Sequence, residues 1–141
     1  MPALFGNQMP HVVKFFIGDT STVMREMRRG TSARIVPQVA RRLGLSQERL
    51  LAYLRLPKST MKGRVSKGQA LASVEQDRMY RVSRVLNRAV EVLEDEDAAR
   101  GWLKRENRSL GGDSPLSILD TEAGYELVLN TLSQIEYGVI S

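Results

Sequence analysis

Side chains that usually carry out catalysis or hold metals are scarce in this chain of 141 residues. It has no cysteine and a single histidine, His11, which excludes thiol catalysis, thiolate zinc sites and histidine pairs. The glycine-containing loop at residues 63–68 lacks the Lys-Ser/Thr pair that a phosphate-binding loop requires. The carboxylates of residues 94–97 lie between two predicted helices, where helix capping explains them. We therefore expect no enzyme, no metal and no cofactor.

Charge divides the chain into a basic and an acidic part, within a formal net charge of +5. Residues 21–70 contain twelve Lys or Arg and only two acidic side chains. Residues 71–141 contain eight basic and thirteen acidic side chains, and no Lys or Arg follows Arg108. Such a division predicts two surfaces, one for a polyanion and one for a basic partner.

Residues 46–67 have the pattern of a helix, a turn and a second helix. Ser46 is a typical N-cap, Pro57 redirects the chain, and Ser59 is the expected N-cap of a basic helix from Thr60 to about Val65. In a helix-turn-helix, the first residues of the second helix read base edges and basic side chains hold phosphates. We predict that Ser59, Thr60 and Lys62 contact bases, and that Arg55, Lys58, Arg64 and Lys67 contact phosphates. Short basic helices after a proline turn also occur in helical bundles.

Apolar residues at helical spacing predict the other elements. A helix from Ile35 ends at Leu43 before Gly44, and a capping box that begins at Ser73 opens the longest helix. The last three elements are a helix after Asp95, a short one from Ser114-Pro115 to Leu119, and one capped by Asp120 or Thr121. The arginines of the longest helix, which we expect to form a solvated face, are Arg78, Arg81, Arg84 and Arg88.

The expected fold class is all-α, since residues 12–17 are the only segment with a strand-like pattern. Residues 1–30 have no clear period and contain several Gly and Pro, which predicts a partly flexible N-terminal arm. Residues 31–72 then form a DNA-binding half, and residues 73–141 form a long linking helix and a C-terminal lobe.

The C-terminal tail is unusual because it is apolar, anionic and too short to form a core. It contains Tyr137, Val139 and Ile140 beside Gly138 and ends in a carboxylate. Apolar side chains of this kind either fold back on the protein or enter a partner. A basic cleft would suit the tail.

Four short motifs in the C-terminal part resemble the toxin-binding domain of the Xre/MbcA/ParS-type antitoxins. They occur in the family's order, at residues 100–103, 107–116, 119–124 and 135–139. Upstream, Leu43-Gly44-Leu45-Ser46 and the basic segment are similar to the Xre-like helix-turn-helix half of that family, so the resemblance covers residues 32–141. One departure is Gly63, which interrupts a helix where the family has a basic residue or alanine.

The resemblance implies an antitoxin of a type II toxin–antitoxin system, partnered with a RES-domain toxin. Toxins of that class degrade or transfer from NAD, and the antitoxin covers their active site. It also implies a homodimer that binds operator DNA and represses its own promoter. The residues to which toxin binding carries over are Trp102, Leu110, Gly111, Gly112, Ser114, Pro115, Thr121, Glu136, Tyr137, Gly138, Val139, Ile140 and Ser141.

Our interpretation is therefore a bacterial, cytoplasmic antitoxin with an Xre-like helix-turn-helix half followed by a small helical toxin-binding lobe. The alternative is a stand-alone DNA-binding transcriptional regulator whose C-terminal lobe dimerises. A third hypothesis, a small-molecule enzyme, depends on His11 and lacks a nucleophile, metal or base constellation to support it.

Overall fold

The structure is a computed structural model that describes residue 16 and residues 18–139. In this part of the chain all regular elements are helical, which confirms the all-α fold class. None of the described helices is both long and apolar enough to cross a membrane. The α-helices are α1 (Thr20–Arg29), α2 (Ile35–Leu43), α3 (Gln47–Tyr53), α4 (Lys58–Lys67), α5 (Ser73–Leu93), α6 (Glu96–Lys104) and α7 (Glu122–Glu136), with 3₁₀ turns at Arg108–Leu110 and Pro115–Ile118.

Helix α5 is the central element, because α6 and α7 both pack against it and α2 contacts it as well. Its buried face follows the predicted spacing of three and four residues, which places the apolar side chains on one side of the helix. The buried apolar residues of this face are Met79, Val82, Val85, Leu86 and Ala89. The core therefore runs along α5. It joins the basic half, residues 31–72, to the acidic lobe, which consists of α6, α7, the two 3₁₀ turns and the tail.

Helices α3 and α4 form the predicted helix, turn and helix. Ser46 caps α3 by accepting a hydrogen bond from the Arg49 amide at 3.1 Å, as predicted. Leu50, Leu51 and Leu54 are fully buried, which fixes α3 against the core. The chain segment that follows α4 pairs with the segment that precedes α2, through an isolated antiparallel bridge between Ser32 and Ala70.

Two predicted N-caps are wrong by one or more residues. Helix α4 begins at Lys58 after the N-cap Pro57, so Ser59 lies inside the first turn. Helix α5 begins at Ser73 itself, because Glu75 accepts a hydrogen bond from the Ala72 amide at 2.8 Å and makes Ala72 the N-cap. In both cases an earlier residue already has the extended backbone that a cap requires. Gly63 lies within a continuous α4, so it does not interrupt the helix.

The predicted flexible arm is wrong for its second half, where α1 forms. Asp19 caps this helix by accepting a hydrogen bond from the Thr22 amide at 2.8 Å, and Val23 is buried. Phe16 is buried too, with its ring edge against Tyr80 of α5 at a centroid distance of 5.5 Å. The remainder of the predicted arm, with His11 and most of the strand-like segment, lies outside the described residues.

The predicted solvated arginine face of α5 is also wrong, since three of its four guanidinium groups bind other elements. Arg78 donates to the Leu54 carbonyl at the end of α3 at 2.6 Å. Arg81 donates to the Leu119 carbonyl before α7 at 3.1 Å, and Arg88 pairs with Glu136 at the end of α7. These arginines have the spacing of a solvated stripe, but their guanidinium groups bind carbonyl or carboxylate groups at the ends of other helical segments.

A second set of polar contacts joins α2 to the C-terminal lobe. Arg42 is buried and donates to Glu96 and to Asn87, both at 2.6 Å. From α6, Arg100 donates to the Arg42 carbonyl at 3.2 Å and Lys104 to the Leu43 carbonyl at 2.9 Å. Because these bonds satisfy carbonyl groups at the end of α2, the two halves of the chain are connected by more than α5 alone.

Candidate functional site

The first candidate surface is helix α4, whose exposed side is basic. Met61 is its fully buried anchor, while Lys58, Ser59, Thr60, Lys62 and Lys67 are all exposed. The structure thus brings the predicted base-contacting residues together on the first two turns of one helix. No acidic side chain occurs in α4, so its exposed side presents hydroxyl and ammonium groups to a partner.

Several of the predicted phosphate-binding cations already have acidic neighbours. Lys58 pairs with Glu48 of α3, and this ammonium group lowers the pKa of the Glu48 carboxyl. Arg64 is bound to the buried carboxylate of Glu75 at 3.0 Å, so its first role is to hold α4 against the start of α5. Lys62 and Lys67 take part in none of the ion pairs formed among the described residues. The available positive charge on α4 therefore comes mainly from these two lysines.

Arg55 lies in the turn between α3 and α4 and has a left-handed backbone, with φ of 54°. Its amide donates to the Ala52 carbonyl at 3.1 Å and the Leu56 amide donates to the Leu51 carbonyl at 3.0 Å, which is a Schellman cap of α3. The guanidinium group extends to Asp120, just before α7, with 3.1 Å between Nε and Oδ2. Arg55 thus connects the basic half to the acidic lobe.

Four of the thirteen predicted toxin-binding residues build the C-terminal lobe from within. Trp102, Leu110, Ser114 and Pro115 are buried, so they shape the lobe without presenting a surface. Thr121 caps α7 by accepting a hydrogen bond from the Gly124 amide at 3.0 Å, as one of the two predicted caps.

Gly111 and Gly112 form the exposed turn between the two 3₁₀ segments. Their φ angles of 73° and 94° lie in the region that L side chains rarely adopt. Nothing lies within 4 Å of the position that a Cβ atom would take at either residue. The two glycines are therefore needed for the backbone and not for close packing.

Gly124 has the opposite role, because it permits the closest approach in the lobe. A Cβ atom at this position would lie 1.8 Å from the Ile118 carbonyl oxygen, which is a backbone atom and cannot rotate away. Helix α7 therefore lies against the second 3₁₀ segment only because residue 124 has no side chain.

The second candidate surface is the end of α7 and the tail. The Gly138 and Val139 amides donate to the carbonyls of Ile135 and Gln134 at 3.0 and 2.8 Å, so the chain turns back at Gly138 with φ of 74°. Tyr137 is 79% exposed and Val139 is 68% exposed, and neither folds back onto the lobe. Ile140 and Ser141 lie outside the described residues.

Glu136 fixes the base of this tail. Its carboxylate pairs with Arg88 of α5, and Arg88 also binds Glu91 at 2.5 Å. Hydrogen bonding to Arg88 lowers the pKa of Glu136, and the same contact raises the pKa of Arg88. The last turn of α7 is thus held in place while the residues after it are exposed.

Sequence reasoning missed Leu127, which is 43% exposed on α7. The signal was available, since Leu127 falls outside the apolar spacing of Tyr125, Val128 and Leu132. Leu127, Asn130, Gln134 and Tyr137 are three or four residues apart and all exposed, so they share one face of α7. This exposed face of α7 extends the candidate surface beyond the tail.

The described residues contain no group of three or more His, Asp or Glu side chains that could hold a metal ion. Two carboxylates near these surfaces, Glu48 and Asp120, are bound to Lys58 and Arg55. Both surfaces therefore have the chemistry of binding surfaces, one through hydroxyl and ammonium groups and the other through exposed apolar side chains.

Comparison with known proteins gives a match to one family model. Residues 88–138 match the antitoxin Xre/MbcA/ParS C-terminal toxin-binding domain. The matched segment begins near the end of α5, includes α6 and α7, and ends in the exposed tail. It therefore coincides with the acidic lobe and leaves the basic half outside.

Similar proteins include an Antitoxin Xre from Photorhabdus laumondii, 43% identical over 48% of this chain and 46% of that protein. An Antitoxin Xre from Pseudomonas putida is 30% identical over 59% of this chain and 52% of its own length. A protein named Prs ADP-ribosylating antitoxin, from a Sphingobium species, is 22% identical over 82% of this chain and 78% of its own. The chain thus matches about half the length of the first and second of these relatives, and more of the third.

Proposed function

We propose, from the premise that the chain is an Xre/MbcA/ParS-type antitoxin by its C-terminal domain, that the acidic lobe neutralises a cognate toxin. The lobe would bind over the active site of the toxin and exclude its substrate. The observation that carries this proposal is the exposed tail, in which Tyr137 and Val139 extend from a turn anchored by Glu136. Apolar side chains so exposed are stabilised when they enter a cleft of a partner.

The toxin that we propose is an enzyme that consumes NAD. The family resemblance implies a RES-domain toxin, which degrades or transfers from NAD. The name of the Sphingobium relative refers to ADP-ribosylation, a transfer that also uses NAD as its donor. Both lines support the same substrate, and RES is the class that we propose.

We propose that the tail and the exposed face of α7 bind the toxin together. Residues 109–141 contain no Lys or Arg, so this surface would be attracted to a basic cleft. Leu127 supplies the apolar contacts from α7, and Tyr137 and Val139 supply those beyond it. Trp102, Leu110, Ser114 and Pro115 act indirectly, by shaping the lobe that presents this surface.

The test begins with capture of the toxin. A tagged full chain is purified from its native cells and washed in high salt to remove partners held by DNA, and bound proteins are identified by mass spectrometry. A chain ending at Glu136 is compared with it, because the truncation retains the ion pair to Arg88 and removes only residues 137–141. A Val74→Ala variant is the matched control, since Val74 is 58% exposed but lies at the start of α5.

We expect one stoichiometric toxin to bind the full chain and the control, and to be lost from the truncated chain. When each form is co-expressed with the toxin, growth should be restored by the full chain and by the control, and not by the truncated chain. Neutralisation by the truncated chain would contradict the role of the tail. Recovery of the protein alone would favour the stand-alone regulator, whose lobe would then serve dimerisation.

We further propose that the basic half binds operator DNA, as a homodimer that represses the promoter of its own gene. A protein that binds operator DNA in a bacterium acts in the cytoplasm, which is the location that we propose. Helix α4 would enter the major groove, with Ser59, Thr60 and Lys62 near the bases and Lys67 near phosphates. Arg64 contributes by holding α4 to Glu75, and Lys58 has to compete for its charge with Glu48.

A further inference from the structure

A cavity lies between the basic half and the acidic lobe. It has a volume of about 360 Å³ and is lined by Arg49, Ala52 and Tyr53 of α3, by Arg55 of the following turn, and by Ser117. Ser117 belongs to the second 3₁₀ segment, and its hydroxyl donates to the Ser114 carbonyl at 2.7 Å. The C-terminal lobe therefore supplies one wall, and α3 supplies the other.

Both charged side chains in the lining of this cavity, Arg49 and Arg55, are cationic. Arg49 is exposed and takes part in none of the ion pairs within residue 16 and residues 18–139. Its neighbour in sequence, Glu48, is already bound to Lys58. Arg55 remains 73% exposed beside Asp120, so a second acceptor can approach its guanidinium group and compete with Asp120 for it. Two guanidinium groups on one open cavity match the oxygen atoms of a phosphate group.

The backbone conformation of Arg55 is unusual for a residue with a side chain. Arg55 has the left-handed conformation that glycine adopts at the end of many helices, although a side chain makes that conformation costly. Arg78 of α5 binds the preceding Leu54 carbonyl at 2.6 Å and supports the turn. An arginine that stands where glycine is easier, and whose guanidinium group lines a cavity, indicates a use for the side chain.

We propose that this cavity receives a backbone phosphate of DNA, held by Arg49 and Arg55, and that Asp120 of the acidic lobe competes for Arg55. The proposal rests on the proposed DNA binding, because the first helix of a helix-turn-helix crosses the DNA backbone and α3 holds that position. The ion pair between Arg55 and Asp120 must weaken when Arg55 binds phosphate. The acidic lobe thereby lowers the affinity for DNA without contacting a base.

The experiment uses the full chain and a 30-base-pair duplex of mixed sequence, because phosphate contacts do not depend on sequence. Affinity is measured by fluorescence anisotropy between 50 and 200 mM NaCl. The test variants are Arg49→Ala, Asp120→Asn, Arg55→Gln and the combination of Asp120→Asn with Arg55→Gln. The controls are Arg108→Ala and Asp113→Asn, which remove the same charges from exposed residues of the lobe.

We expect Arg49→Ala to reduce the slope of log affinity against log salt by about 0.9, the value for one lost phosphate contact. Asp120→Asn should raise DNA affinity about two- to fivefold, the range for release of one exposed ion pair. In the Arg55→Gln background the gain should disappear, since no guanidinium group is left to be released. The two controls should leave the slope within about 0.3 of the unmodified protein.

The possible failures are distinguishable. If the unmodified protein binds no duplex at 50 mM NaCl, both the proposed DNA binding and this site are overturned. If it binds, and the Arg49 and Asp120 variants behave as their controls do, only the site is overturned. A titration with inorganic phosphate, followed by NMR of the Ala52, Tyr53 and Ser117 amides, tests the other source. Binding of free phosphate that requires Arg49, with DNA affinity unchanged, would overturn DNA as the source.

Discussion

The two candidate surfaces differ in the kind of side chain that is left exposed. On α4 the exposed groups are hydroxyl and ammonium groups around one buried anchor, Met61. At the end of α7 they are apolar, with Tyr137 and Val139 beyond a helix that is well packed against α5. The first surface suits a partner recognised by charge at a distance, and the second suits one recognised by shape at contact.

A pair of glycine substitutions should produce the largest difference between the two regions. Gly124→Ala places a Cβ atom 1.8 Å from a backbone oxygen, so α7 must shift and the free energy of unfolding should fall by about 3 kcal/mol or more. Gly63→Ala meets nothing within 4 Å inside α4 and should raise it by about 0.5 to 1 kcal/mol. Urea denaturation measures both. Equal effects at the two positions would contradict the contrast in packing.

The next largest difference should be in the salt dependence of binding, which should be strong for DNA and weak for the toxin. With three phosphate contacts, from Lys67, Arg49 and Arg55, DNA affinity should fall about 40-fold between 50 and 200 mM salt. Toxin binding should change far less, by about threefold, because the apolar contacts of the tail are insensitive to salt and only the attraction to a basic cleft is screened. Lys67→Ala should reduce only the slope for DNA, by about 0.9. A shared salt dependence would show that both partners use charge in the same way.

The smallest expected effect is a pH response at the base of the tail. Hydrogen bonding to Arg88 lowers the pKa of Glu136 below its usual 4.5, so the contact stabilises the last turn of α7 above that value. As the pH falls through the lowered pKa, Glu136 is protonated and this stabilisation is lost. NMR titration of the Glu136 side chain should therefore give a higher midpoint in Arg88→Gln than in the unmodified protein. Equal midpoints would contradict the anchoring role of Arg88.

Local signals predicted the helices well, because caps and apolar spacing act within one or two turns. Ser46, Asp95 and Thr121 cap the helices that the sequence assigned to them. The α5 arginines were misjudged for the opposite reason. Arg78 and Arg81 bind carbonyls of residues 24 and 38 positions away, and no periodicity within α5 reveals such partners.

Prediction of the site residues was limited in the same way. Trp102 and Pro115 were assigned from motifs, which do not distinguish a residue that shapes a surface from one that forms it. Arg64 has the charge and the sequence position of a phosphate contact. Its pairing with Glu75 depends on how the start of α5 packs against α4, which the sequence does not reveal. The exposed tail could be predicted because Tyr137 and Val139 lie after the last apolar repeat of α7. Leu127 could have been predicted too, as it interrupts that repeat.

The contacts that close the end of α2 have a consequence for assembly on DNA. Since Arg42, Arg100 and Lys104 join the two halves, a toxin held by the lobe would have a defined direction and distance from the double helix. In the proposed assembly, dimers on neighbouring operators would then carry their toxins around the DNA axis at an angle set by the spacing of those operators, about one helical turn for every 10.5 base pairs. The length of DNA between operators would thereby decide whether adjacent complexes collide or fit side by side.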